Sequence, residues 1–199
     1  MDINGISVII STYDDPINLV SQCIDSLLPQ EKIQEIIVVD SSKKDDIKKF
    51  CYSLNNDKIN YIYTSPKGLS DARNKGIKIA KNRIVVFTDS DCIADNDWAK
   101  NICNSFSKNV AIIGGKILPK WYIRPNKILS KSIIAQGYYS LFDLGEEMIE
   151  VDQIYGGNFA VDLNLLSDQV FLSKLGRRKE NLISGEETEL CRQLKKDKL

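Results

Sequence analysis

Histidine is absent from all 199 residues of this chain, and several other signals are missing with it. Without imidazole there is no Ser–His or Cys–His nucleophile pair and no His-rich zinc site, so proton transfer and metal ligation fall to carboxylates. Net charge is lacking too: 27 Lys+Arg balance 27 Asp+Glu, which leaves no basic excess to attract nucleic acid. No apolar run approaches the roughly 18 residues of a membrane span. Met1-Asp2-Ile3-Asn4-Gly5 holds no basic region followed by an apolar block, so no secretion signal is expected. The five cysteines (Cys23, Cys51, Cys92, Cys103, Cys191) are odd in number and never spaced C-x-x-C, which reads as reduced thiols of a cytoplasmic protein.

What the chain does have is a hydrophobic fraction of 43%, enough for a buried core, and a regular alternation of short β-branched runs with helical patterns. Strands are expected at Ile6–Ser11, Ile36–Val39, Ile59–Tyr63 and Ile84–Phe87, and helices at Pro16–Leu28, Asp45–Leu54 and Gly68–Ala80. In the last helix Leu69, Ala72, Ile77 and Ala80 are the expected inward residues. This rhythm predicts an α/β fold with a parallel sheet and right-handed crossovers. After Asp91 the pattern predicts a helix over 95–106, a strand over 110–118, a helix over 121–145, a turn into a strand over 156–161, and a helix starting at Glu186. We expect a single domain over 1–199, with about 1–92 as a nucleotide-binding half and about 93–199 as an acceptor-side half.

Ligands of open α/β sheets bind beyond the carboxyl ends of the strands. The polar residues there are Ser11-Thr12-Tyr13-Asp14-Asp15, Asp40-Ser41-Ser42 and Thr88-Asp89-Ser90-Asp91. Asp89 and Asp91 are spaced D-x-D, which can offer two oxygen ligands to Mg²⁺ or Mn²⁺ beside substrate phosphates; the same pair can be a solvated acidic turn. Asp40 can accept hydrogen bonds from a base or ribose, or close an Asx turn. Arg73 can reach phosphate or base as a planar donor, or stand on an exposed helix face. Glu186 and Glu187 can act as a general base or cap their helix.

In order, Val8-Ile9-Ile10-Ser11-Thr12-Tyr13, Glu35 to Ser42, Gly68 to Ile77, Ile84 to Asp91, Gly156 to Val161 and Ser184 to Leu190 resemble family 2 glycosyltransferases with the GT-A fold. The resemblance implies an inverting, metal-dependent transfer from a nucleotide-diphospho-sugar, commonly UDP-linked, to a hydroxyl acceptor. The acceptor would be a saccharide or lipid-linked saccharide, as in cell-surface polysaccharide or glycolipid synthesis. It also implies roles. Thr12, Tyr13 and Asp14 would line the nucleotide pocket, with Asp40 on the base and Arg73 near base or phosphates. Asp89 and Ser90 would face the ribose side, Asp91 with Asp89 would ligate Mn²⁺ or Mg²⁺, and Gly157 and Asn158 would border sugar and acceptor. The family often has Glu-Asp where this chain has Glu186-Glu187; Glu187 is the expected base, with Glu186 its alternative.

No Gln-x-x-Arg-Trp motif occurs and both tryptophans, Trp98 and Trp121, come earlier, so a non-processive enzyme is expected. Family members often continue past this point, so the chain is expected to be a short member or a truncated one, and partners of the stripe Leu190, Cys191 and Leu194 are expected to be missing. Trp121 to Tyr139, with aromatic and basic residues, suggests either peripheral contact with the inner face of a membrane or a helix covering the sheet. Lys174, Arg177, Arg178 and Lys179 suggest a solvated loop or a hold on an anion. Three rivals fit less well. A sugar nucleotidyltransferase needs a glycine-rich loop where Thr12-Tyr13-Asp14-Asp15-Pro16 stands. A receiver domain needs an Asp where Tyr63-Thr64-Ser65-Pro66 stands. A nucleotide-sugar-binding module without turnover would have no use for Asp89, Asp91 and Glu187 together.

Overall fold

The structure is a computed structural model and describes residues 3–121, 141–166, 170–171 and 185–196. Strands β1 (Ile6–Thr12), β2 (Ile33–Asp40), β3 (Ile59–Tyr63), β4 (Ile84–Asp89), β5 (Ile112–Gly114) and β6 (Asn158–Asp162) form one six-stranded sheet in the order β3-β2-β1-β4-β6-β5. The first four strands pair in parallel, and β6 runs antiparallel to both β4 and β5. Helices α1 (Ile17–Leu27), α2 (Asp46–Ser53), α3 (Leu69–Ile79), α4 (Trp98–Ser105) and α5 (Glu186–Lys196) flank it. This is the single mostly parallel α/β domain that the alternating pattern predicts.

The near-continuous β-branched runs make physical sense because both faces of the sheet are covered. Val8, Ile10, Ile36, Val38 and Val86 pack with Val20, Ile24 and Leu27 of α1 and with Ile47 and Ile102. Ile9, Ile37, Val39, Val85 and Phe87 point the other way, to Ala72 of α3 and to Leu190, Cys191 and Leu194 of α5. Gly76 allows α3 to lie close: a Cβ there would come 2.8 Å from Ile9.

Four expectations are corrected. In α3 Ala72 is buried as expected and Ile77 and Ala80 pack, half-buried, against the core; Leu69 is only half-buried, and Ser70, Arg73 and Gly76 share the buried face. The strand expected over 110–118 is only Ile112–Gly114 and stops before Gly115; Ile117 then makes an isolated bridge to Phe142. That bridge takes the Phe142 backbone groups, so 141–145 is not the end of a helix; residues 122–140 lie outside the described ones. The α5 stripe does not lack partners: Leu190, Cys191 and Leu194 are buried beside Phe159, Val161 and Phe171. Among the described residues no helix is long and apolar enough to cross a membrane. The proposed membrane-facing stretch over 122–139 and the basic run over 174–179 lie outside the described residues.

Candidate active site

Parallel pairing puts the ends of β1, β2 and β4 side by side. Thr12 is registered opposite Asp40, and Ser11 opposite Asp89. The loops that follow are stitched together by short polar groups. The Ser41 amide donates to the Thr12 carbonyl at 2.9 Å, and the Asp14 amide donates to Ser42 Oγ at 2.8 Å. Asp14, at φ 55°, returns the link by accepting from the Lys43 amide at 2.9 Å. On the other side Ser90 Oγ donates to Asp15 Oδ2 at 2.6 Å, tying the loop after β1 to the loop after β4.

Within this frame Asp40 is buried, and it does close an Asx turn: Oδ1 accepts from the Ser42 amide at 2.8 Å, while Oδ2 accepts from Tyr61 Oη at 2.8 Å. Each carboxylate oxygen has a second lone pair, so the site can still accept from a ligand. Thr12 is buried, Tyr13 is 38% exposed and Asp14 is exposed.

Asp89 and Asp91 lie together at the end of β4. Their carboxylates and the Cys92 thiol are within 4.8 Å of one another. Burial, then the charges of Asp89 and Asp91, push the Cys92 thiol up to about 12, so it stays protonated at neutral pH. The two carboxylates fit a hard cation such as Mn²⁺ or Mg²⁺, which prefers oxygen to sulfur and leaves its other positions to substrate oxygens. Gly157 lies over this cluster: a Cβ there would come 3.3 Å from Asp89 Oδ2 and 3.4 Å from Cys92 Sγ.

Arg73 is 2% exposed and lies at the centre of a charge cluster. Its Nη1 donates to Glu187 Oε1 at 2.6 Å and to Glu186 Oε1 at 3.1 Å, and Nη2 donates to the Gly156 carbonyl at 3.3 Å. Nη2 is also 3.9 Å from Asp89 Oδ1. The guanidinium carbon stands 5.9, 5.3 and 5.6 Å from the ring centres of Phe87, Phe159 and Phe171. This buried face of α3 is the reverse of an exposed helix with an ordinary basic residue. The two glutamates also differ. The Glu186 side chain is 2% exposed, and its other oxygen accepts from the Gly185 amide at 3.1 Å; the Glu187 side chain is 12% exposed.

The expected residues thus form one connected edge, from Thr12 and Asp40 through Asp89 and Asp91 to Gly157 and Glu187. Asn158 stands apart in its bonding: Oδ1 accepts from Trp98 Nε1 at 2.9 Å, and Nδ2 donates to the Lys116 carbonyl at 2.8 Å. Sequence reasoning did not single out Asp15, Tyr61, Cys92 or Trp98. Asp15 was signalled by its place in the polar cluster after β1. Tyr61 and Trp98 gave no local sign, since each meets its partner across a long stretch of chain.

A family model described as "Glycosyl transferase family 2" matches residues 7–164. Glycosyltransferase AglE of Haloferax volcanii is 26% identical over 187 residues, which cover 90% of this chain and 58% of AglE. The structure resembles that of the mannosyltransferase PcManGT from Pyrobaculum calidifontis, solved with GDP-Man and Mn²⁺ (TM-score 0.66, 18% identity, 95% of this chain and 51% of that one). It also resembles GalNAc-T7, solved with UDP, GalNAc and Mn²⁺ (TM-score 0.63, 15% identity, 97% and 41%). At these identities the structural likeness is one of fold, and it is the GT-A type expected. This chain spans only about half the length of these proteins.

Proposed function

The chain belongs to glycosyl transferase family 2, and we propose that it moves a sugar from a nucleotide-diphospho-sugar, UDP-linked, to a hydroxyl acceptor with inversion. The observation that carries this reading is the single polar edge at which three carboxylates, Asp89, Glu186 and Glu187, surround one guanidinium and a fourth, Asp91, lies beside Asp89. That negative excess suits a divalent cation, and through the cation a diphosphate.

In this reading residues 1–92 form the nucleotide side, and 93–199 supply the acceptor side. Thr12, Tyr13, Asp14 and Asp40 hold the nucleoside, with Tyr61 orienting Asp40. Asp91 and Asp89 hold Mn²⁺ or Mg²⁺. When bound, the cation offsets the charge that grows on the diphosphate as it leaves. Glu187 takes the proton of the acceptor hydroxyl; the oxygen bonds to the anomeric carbon as the bond to the diphosphate breaks on the opposite face. What supports Glu187 over Glu186 is exposure: Glu186 is almost sealed, and both its oxygens have protein partners. Gly157, whose missing Cβ lets its backbone lie close to Asp89, borders the sugar.

The test is a screen of UDP-, GDP- and dTDP-sugars with Mn²⁺, scored by nucleotide release and by melting temperature. A ligand that binds only the folded state raises Tm, by an amount set by its affinity. UDP with Mn²⁺ is expected to raise it. If none of the three nucleotides does so with metal, the donor assignment is wrong; if one does so without turnover toward any acceptor or water, the chain is a binding module.

A further inference from the structure

The resemblance implies Arg73 near the donor's base or phosphates, but the geometry gives its guanidinium another task. A phosphate ligand needs N–H groups that protein acceptors have not already taken. Both ends of its fork meet protein acceptors: Nη1 meets Glu186 and Glu187, and Nη2 meets the Gly156 carbonyl. Its faces meet three phenylalanine rings. A planar, rigid donor in such a cage fixes whatever it bonds, and a lysine could not reproduce the fork. The group it holds at the shortest distance, 2.6 Å, is Glu187 Oε1. Gly156 completes the cage, because a Cβ there would come 2.6 Å from Arg73 Nη2 and closer still to Glu187 Oε1.

Resting on the reading of Glu187 as the base, we propose that Arg73 is a positioning residue: it holds the Glu187 carboxylate in line with the acceptor and does not bind the donor. Glu186 is the second anchor of the same guanidinium. Glu187 Oε2 is then the oxygen that meets the acceptor proton, since Oε1 is engaged by Arg73.

The experiment compares Arg73→Met, Arg73→Lys and Gly156→Ala with the unaltered chain. It uses the UDP- or GDP-sugar found active in the screen, with saturating Mn²⁺. The kcat and donor KM come from nucleotide release, and the affinity for UDP or GDP with Mn²⁺ comes from calorimetry. Misplacing a reacting group by about 1 Å costs on the order of 100-fold. We expect kcat to fall about that much in Arg73→Met, less in Arg73→Lys, with donor KM and nucleotide affinity within about threefold. Gly156→Ala removes no charge and crowds only the Arg73–Glu187 pair, so it should lower kcat in the same selective way. It decides the question if Arg73→Met does not fold. A rise in donor KM with weakened nucleotide binding at preserved kcat would return Arg73 to the donor and overturn the proposal, as would unchanged kinetics. If Arg73 variants are silent while Glu187→Gln is inactive, only this inference fails. If Glu187→Gln is itself fully active, the reading beneath it fails too.

Discussion

The two ends of the sheet both bury a carboxylate, and they treat it in opposite ways. At the amino end Glu35 Oε1 accepts from Ser7 Oγ and from the Lys81 amide, both at 2.6 Å, and Asn82 in turn donates to Ser7 Oγ at 3.0 and 3.1 Å. Neutral donors answer one oxygen of that carboxylate and tie β1, β2 and the turn after α3 together, while its Oε2 is buried without a hydrogen-bond partner. That end also carries a groove of about 420 Å³, lined by Glu35, Asp57, Asn60, Lys81 and Asn82. At the carboxyl end Glu186 and Glu187 share a single cation with Asp89 nearby, and neutral donors are few. A groove therefore marks the amino end, while crowded carboxylates around one cation mark the carboxyl end. Unbalanced charge is the better sign of chemistry, because a fold gains nothing from crowding carboxylates unless something cationic or proton-bearing is to meet them.

The sharpest way to test this contrast is Glu187→Gln. It should lower turnover by about 1,000-fold while leaving nucleotide binding with Mn²⁺ intact, as measured by nucleotide release and calorimetry. Normal turnover would move the base elsewhere and dissolve the contrast. Next, Asp91→Ala should remove the Mn²⁺-dependent part of the melting shift given by UDP and reduce turnover by about 100-fold; an undiminished shift would mean that the pair does not hold the metal. At the amino end, Glu35→Ala should cost about 2 kcal/mol of stability in urea unfolding, through two lost hydrogen bonds and stranded donors, with turnover unaltered. A selective loss of turnover there would break the comparison from its other side. The smallest effect is expected from Ser90→Ala, which removes one link between the loops after β1 and β4. About 1 kcal/mol of stability and a donor KM raised about threefold would fit, and an unchanged melting temperature would show that Asp15 does not need it.

The parallel core was legible because its signals are local. The runs at Ile6, Ile36, Ile59 and Ile84 are short, β-branched and closed by polar residues, and helices between them leave few other topologies. The D-x-D pair and Asp40 were legible for the same reason, as punctuation at strand ends. The reversed direction of β6 was not, since Asn158–Asp162 reads as a strand in either sense. Nor was the burial of Arg73, whose partners lie 113 and 114 residues away. A helical pattern that counts apolar residues finds Ala72 and Ile77 on the inner face of α3 but has no reason to place Arg73 beside them. A charged residue can take that face only when distant carboxylates and rings arrive to receive it. Nor was the early end of β5 before Gly115, since where pairing stops depends on what lies across the strand.

The span between Arg73 and α5 bears on how the molecule comes into being. A growing polypeptide releases its early strands first and can assemble them as they emerge. At that stage the guanidinium on α3 already faces Phe87 but lacks the glutamates that compensate it, a costly arrangement for a charge shielded from water. Docking of α5 removes that cost and, on the proposed reading, delivers the proton acceptor in the same event. The ribosome therefore makes the Asp89–Asp91 pair well before it makes the glutamates that compensate Arg73.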